Sequence, residues 1–208
     1  MPLFFKHIIN DNSCVYCWKY DEQEHLPIDE LATPQDLIKI KGYHIKKVKE
    51  FLMIRKILRT FLPNQNIEYR DNGEPYLSHS DSFISISHSF PFGVLSVSNQ
   101  PIGIDFEIIK DKILSVKHKF INENEQNWLG KNFENTEYLT AIWTIKEALY
   151  KIHHAKLWSL KKHYEIEAFD LENPIKIKCK VFKENEFEDI FYAQLIRTEN
   201  AFLAIVSE

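Results

Sequence analysis

Two short stretches of this sequence carry side chains whose types and spacing suit ion chemistry. In Gly103-Ile104-Asp105-Phe106-Glu107, two carboxylates stand two residues apart. On a strand they project from one face, as an all-oxygen shell around a hard divalent cation requires. The same alternation is that of an ordinary solvated strand face. The flanking Ile102, Ile104, Phe106 and Ile108 are apolar, however, so the acidic face reads equally as the floor of a cleft. In Trp143-Thr144-Ile145-Lys146-Glu147-Ala148-Leu149-Tyr150-Lys151, a helix would align Trp143, Glu147 and Lys151 along one edge with Lys146 beside them. A Glu followed by Lys four residues later is also a common surface ion pair worth about 0.2–0.5 kcal/mol. Either reading suits that stretch taken alone.

A third stretch, Ser85-Ile86-Ser87-His88-Ser89, closes a predicted strand with hydroxyls and an imidazole able to hold a phosphate oxygen. A serine nucleophile activated by His88 fits less well, because adjacent strand residues face opposite ways and no G-x-S-x-G elbow is present. The five glycines, at 42, 73, 93, 103 and 130, are too scattered for G-x-G-x-x-G or a P-loop. Any phosphate must therefore be held by cations and side chains.

The elements that would position these groups follow from periodicity. Residues 3–9 and 14–20 read as a hairpin around Asn10-Asp11-Asn12-Ser13. Thr33-Pro34 is a helix start. From Lys46 to Leu62 apolar residues recur at helical spacing until Pro63, opposite a polar face of Lys46, Lys47, Lys49, Arg55, Lys56 and Arg59. Short strands follow around Asn72-Gly73 and Pro75, then at 83–87, 93–98 and 102–108. Helices are expected at 112–119, 122–130 and 135–154, and three or four strands between 163 and 207. This order predicts an α+β fold with halves 1–100 and 101–208 rather than a βαβ series.

The chain has 208 residues, 44% hydrophobic and 27% charged, with net charge −4, values that exclude disorder and collagen-like repetition. The stretch Met1 to Lys6 lacks the pattern of a signal peptide or membrane span, and three cysteines suit a reducing compartment, so a cytoplasmic location is expected. Mild acidity argues against bulk nucleic-acid binding. Cys14-Val15-Tyr16-Cys17 matches C-x-x-C, but on a strand its thiols face opposite ways, so a structural role is expected. His153-His154, ending a helix, is read as a partner of the helix dipole rather than of a metal.

Taken together, N-G-x-P at Asn72–Pro75, S-x-S-H-S at Ser85–Ser89, G-I-D-x-E at Gly103–Glu107 and, about 35 residues later, W-x-x-K-E-A-x-x-K at Trp143–Lys151 resemble the 4'-phosphopantetheinyl transferases of the longer surfactin-synthetase-activating type. The resemblance runs from about Arg55 to Lys151. It implies two similar, pseudo-symmetric α/β halves packed side by side in a monomer. It also implies transfer of the phosphopantetheine arm of coenzyme A to a serine of an apo acyl or peptidyl carrier protein, releasing adenosine 3',5'-bisphosphate. By the same resemblance Asp105, Glu107 and Glu147 are the ligands of Mg²⁺, or of Mn²⁺ in its place. Lys151 contacts the pyrophosphate, Lys146 adds positive potential, and Glu147 is a candidate general base. Arg55 and His88, helped by Ser87, match contacts to the 3'-phosphate, and Lys46 and Lys47 lie where further basic ligands are frequent.

Glu74 departs from the family, which commonly has a basic residue before the proline of N-G-x-P. Asn122 and Glu125, in the position of a family F-x-x-x-E segment, read as a helix-capping pair. The Lys-rich stretch 110–119, with Lys117 and Lys119, or the first long helix is expected to dock the acidic carrier. A metal-dependent phosphohydrolase would use the same carboxylates, and a non-catalytic module binding RNA or an acidic protein would use the basic helix.

Overall fold

The computed structural model describes residues 3–174, 176–183 and 186–207. They fall into two compact units, Met1–Gln100 and Pro101–Glu208. In the first, β1 (Leu3–Asn10) and β2 (Ser13–Lys19) form the hairpin, followed by α1 (Ile28–Leu31), α2 (Pro34–Ile40) and α3 (Ile45–Phe61). Then come β3 (Ile67–Tyr69), β4 (Pro75–Leu77), β5 (Phe83–Ser89) and β6 (Phe92–Ser98). The main sheet is antiparallel in the order β1-β2-β6-β5, and β3 pairs with β4 around Gly73, whose φ of +83° is the left-handed conformation glycine tolerates. Met53, Ile54, Ile57 and Leu58 of α3 pack on Tyr16, Trp18, Ile84 and Leu95 of that sheet.

The second unit opens with β7 (Ile102–Ile108) and continues through α4 (Lys112–Val116), α5 (Glu123–Leu129), α6 (Thr136–Ile152) and α7 (Leu160–His163). It closes with β8 (Tyr164–Ile166), β9 (Ile177–Lys183), β10 (Glu186–Arg197) and β11 (Ala201–Ser207). Its sheet has the order β7-β11-β10-β9-β8, antiparallel throughout. Leu139, Ile142, Ile145 and Leu149 of α6 bury the face bearing Phe202, Ala204 and Val206 of β11 and Phe191, Ala193 and Leu195 of β10.

The fold class is α+β. Each unit lays one 17-residue helix on an antiparallel sheet, and in each the strand preceding the long helix pairs with the unit's last strand, β2 with β6 and β7 with β11. The stretch 112–119 is not one helix, because α4 stops at Val116 and a 3-10 turn takes over at Lys117–Lys119. No helix among the described residues is long and apolar enough to cross a membrane.

Candidate active site

The carboxylates of β7 face α6, and register is the reason. Asp105 pairs across the ladder with Ala204 and Glu107 with Phe202, and both partners belong to the core beneath α6. Residues opposite each other in a ladder share a face, so Gly103, Asp105 and Glu107 point toward the helix. Gly103 allows β7 to come that close, since a Cβ there would stand 2.1 Å from the carbonyl oxygen of Ala148 and 3.0 Å from Ile152. The glycine of G-I-D-x-E is thus a packing residue of the site.

On α6 the fully buried positions Ile142, Ile145, Ala148 and Leu149 hold the helix to the sheet, while Trp143, Glu147 and Lys151 form a half-buried ridge. Lys151 Nζ donates to Asp105 Oδ1 at 2.7 Å and to the carbonyl of Ile104 at 3.0 Å. Trp143 Nε1 donates to Glu107 Oε1 at 3.4 Å, and the indole meets Phe120 edge-on. Burial, then the negative charge of Asp105, raise the Glu147 pKa to about 7; Lys151 opposes the shift and Glu107 adds to it. Three carboxylates therefore interact electrostatically around one ammonium group. A hard divalent cation with oxygen ligands fits this donor set, because it would offset the burial and the neighbouring negative charges that hold Glu147 toward its neutral form.

Lys146 requires a correction. One residue from Glu147, it is rotated about 100° around the helix and is fully buried, donating to Glu125 Oε2 at 2.7 Å, Phe120 O at 2.6 Å and Leu160 O at 3.2 Å. It cannot present its ammonium to a phosphate from there. Glu125 is the N3 residue of a capping box with Asn122, as expected, and in addition it accepts from the Ile166 amide at 2.9 Å. Burial pushes Glu125 up and Lys146 down in pKa, each resisted by the partner's charge. The pair fixes the rotation of α6 against α5 and β8, a role the motif alone did not reveal.

In the first unit, Arg55 is 1% exposed. Its Nε and Nη2 donate to Asp36 at 2.9 and 2.5 Å, and the guanidinium lies over Phe51. Asp36 also caps α2 in a box with Thr33. Burial would lower the Arg55 pKa, but the hydrogen bonds and charge of Asp36, together with Tyr69, outweigh it and raise it. The expected open phosphate ligand is therefore mostly engaged inside the protein, with only Nη1 not held by Asp36. Ser87 is buried on β5, whereas His88 is exposed, its Nδ1 3.4 Å from Glu50 Oε2. Lys46, Lys47 and Lys49 of α3 lie over the rings of Phe90, Tyr43 and Tyr20. Lys117 is paired with Glu134 and sits over Phe133, so of the two lysines expected to meet a carrier only Lys119 is exposed. The three cysteines are free thiols, with Cys17 and Cys179 buried.

The family model of the 4'-phosphopantetheinyl transferase superfamily matches residues 101–205, which is the unit carrying these carboxylates. Among curated proteins, the chain is 39% identical over 106 residues to the 4'-phosphopantetheinyl transferase gsp of Aneurinibacillus migulanus, covering 48% of this chain and 44% of that one. It is 34% identical over 108 residues to psf-1 of Bacillus pumilus, covering 49% and 46%, and 31% identical over 85 residues to a Bacillus subtilis 4'-phosphopantetheinyl transferase, covering 39% and 38%. The chain thus matches less than half the length of these relatives. With the model spanning residues 101–205 and the acidic strand and Lys-Glu helix placed face to face, this chain belongs to the 4'-phosphopantetheinyl transferase superfamily.

Proposed function

We propose that the chain transfers the 4'-phosphopantetheine arm of coenzyme A to a serine hydroxyl of an apo acyl or peptidyl carrier protein, releasing adenosine 3',5'-bisphosphate. The observation that carries this reading is the convergence of Asp105 and Glu107 from β7 with Glu147 and Lys151 from α6. Asp105, Glu107 and Glu147 would hold Mg²⁺, which when bound neutralises charge on the pyrophosphate. Glu147, facing the same site, is the candidate general base for the carrier serine. The Lys151 ammonium, positioned on Asp105 and Ile104, supplies positive charge for the departing phosphate oxygen. Trp143 steadies Glu107 by its indole donor. His88, with Ser87, is assigned to the 3'-phosphate; Arg55, buried on Asp36, is not.

The test is incubation with apo carrier proteins of the fatty-acid, polyketide and peptide types, coenzyme A and Mg²⁺, read by intact mass. Addition of one phosphopantetheine is expected, abolished by Asp105→Ala and Glu147→Ala. No addition to any carrier would overturn the reading, and phosphate release from coenzyme A without carrier would indicate a hydrolase instead.

A further inference from the structure

We propose that His153, His154 and Asp189 form a second cation site, distinct from the carboxylates of β7 and α6 and suited to a borderline transition ion such as Zn²⁺. Each side chain offers one ligand atom, and the three atoms lie within 4.8 Å of one another. His153 caps the C-terminus of α6 and Asp189 comes from β10, so tertiary structure makes the cluster, not sequence proximity.

The placement of Asp189 breaks an otherwise apolar row. Leu195, Ala193 and Phe191 follow one another on the core face of β10, and two-residue alternation puts Asp189 on that face next. A register shift between Phe187 and Asp189 marks the spot, the type of irregularity that re-aims a side chain near a strand end. What the carboxylate meets is a fully buried imidazole. His153 has no exposed surface, stands edge-on to Tyr164 and Phe191, and lies 4.5 Å from the exposed His154 ring, centre to centre.

Two imidazoles and one carboxylate select zinc-like ions over Mg²⁺, which prefers oxygen alone. A tetrahedral ion with bonds of about 2.0–2.1 Å holds its ligands roughly 3.3 Å apart. His153 Nε2 and Asp189 Oδ2 are separated by 3.3 Å, the spacing of two such ligands. His154 completes the triad by side-chain rotation from its exposed position, and water takes the fourth place. His153 Nδ1 accepts from the Ala155 amide at 3.3 Å. An ion bound at Nε2 requires the ring proton on Nδ1, so loading gives up that long bond, with no net proton released. The bound ion would join the end of the helix carrying Glu147 and Lys151 to β10, stabilising the native chain by mass action.

The experiment uses the full chain, stripped of metal and kept in excess Mg²⁺, titrated with Zn²⁺ by calorimetry and with Co²⁺ by visible absorption. One equivalent of Zn²⁺ at micromolar affinity, a rise in Tm that Mg²⁺ alone does not give, and low-symmetry Co²⁺ bands are expected. His154→Gln and Asp189→Asn should each weaken Zn²⁺ binding at least about tenfold, while Asp105→Ala leaves it unchanged. Equal Zn²⁺ binding by wild type and His154→Gln, loss of binding in Asp105→Ala, or no binding to the wild type would overturn the proposal. Because Zn²⁺ occupancy is read without carrier or coenzyme A, its failure is separate from failure of the transferase reading.

Discussion

Lys151 leaves α6 to meet Asp105 and the Ile104 carbonyl on β7, so its charge is positioned before any substrate arrives. Replacing it with alanine removes one preorganised positive group from the reacting phosphate, and kcat in the carrier assay should fall about 10²–10³-fold with secondary structure retained by circular dichroism. A distinct outcome is expected at Asp36. Burial would raise its pKa, but hydrogen bonds from Arg55 and Thr33 and the charge of Arg55 hold it below the ordinary carboxylate value. A carboxylate depressed on folding stabilises the protein fully above its unfolded pKa of about 3.9 and loses that contribution as pH falls through the folded pKa. Asp36→Asn should therefore cost about 3–5 kcal/mol at neutral pH. In urea melts the gap to wild type should close progressively below about pH 4; a gap unchanged down to pH 2 would count against the pairing. At this scale Asp105, Glu107, Glu147 and Lys151 were legible because strand and helix periods fix which of them share a face. Lys146 and Arg55 were not, since a charged residue beside a motif looks the same whether it faces substrate or a buried partner. Only the positions of Glu125 and Asp36, 21 and 19 residues away, decide that.

At the level of elements, the site depends on the separation of β7 from α6. Gly103→Ala would drive a methyl against the Ala148 carbonyl, so strand and helix must part. Overpacking of this type costs about 1–3 kcal/mol, and the displacement should also depress carrier modification. Both the lowered Tm and the lost activity are measurable, and an alanine variant with unchanged Tm would show that the contact is not tight. Element ends read well where the signal is local. Thr33 caps the helix start read there, and Asn122 makes the capping box its spacing suggests. The segment 112–119 read less well, because helical spacing does not distinguish a short α-helix from one that tightens into a 3-10 turn at Lys117. The meeting of Asp189 with His153 was invisible because contact between residues 36 apart in the chain is not written in either segment alone.

For the molecule as a whole, the two units share an architecture that composition could not reveal, an antiparallel sheet under one long helix. Its cores also enclose most of the thiol chemistry. Cys17 and Cys179 have no exposed surface and burial pushes their pKa values up, whereas Cys14 is partly exposed. A disulfide reagent such as Ellman's should thus titrate Cys14 alone in the native protein and all three thiols in guanidinium; rapid native reaction of three would contradict these cores.

Asp105 and its ladder partner Ala204 are separated by nearly a hundred residues, and the strand between β7 and the rest of its sheet is β11. During synthesis, β7 therefore leaves the ribosome with no strand to pair with until residues 201–207 follow, and such non-local pairing is slow to form. The backbone ladder that fixes which way the acidic groups of β7 face is completed only by the part of the unit translated last. A nascent chain interrupted before β11 would carry Asp105, Glu107, Glu147 and Lys151 and still lack the ladder partner of β7, so the proposed activity should report complete synthesis of the unit.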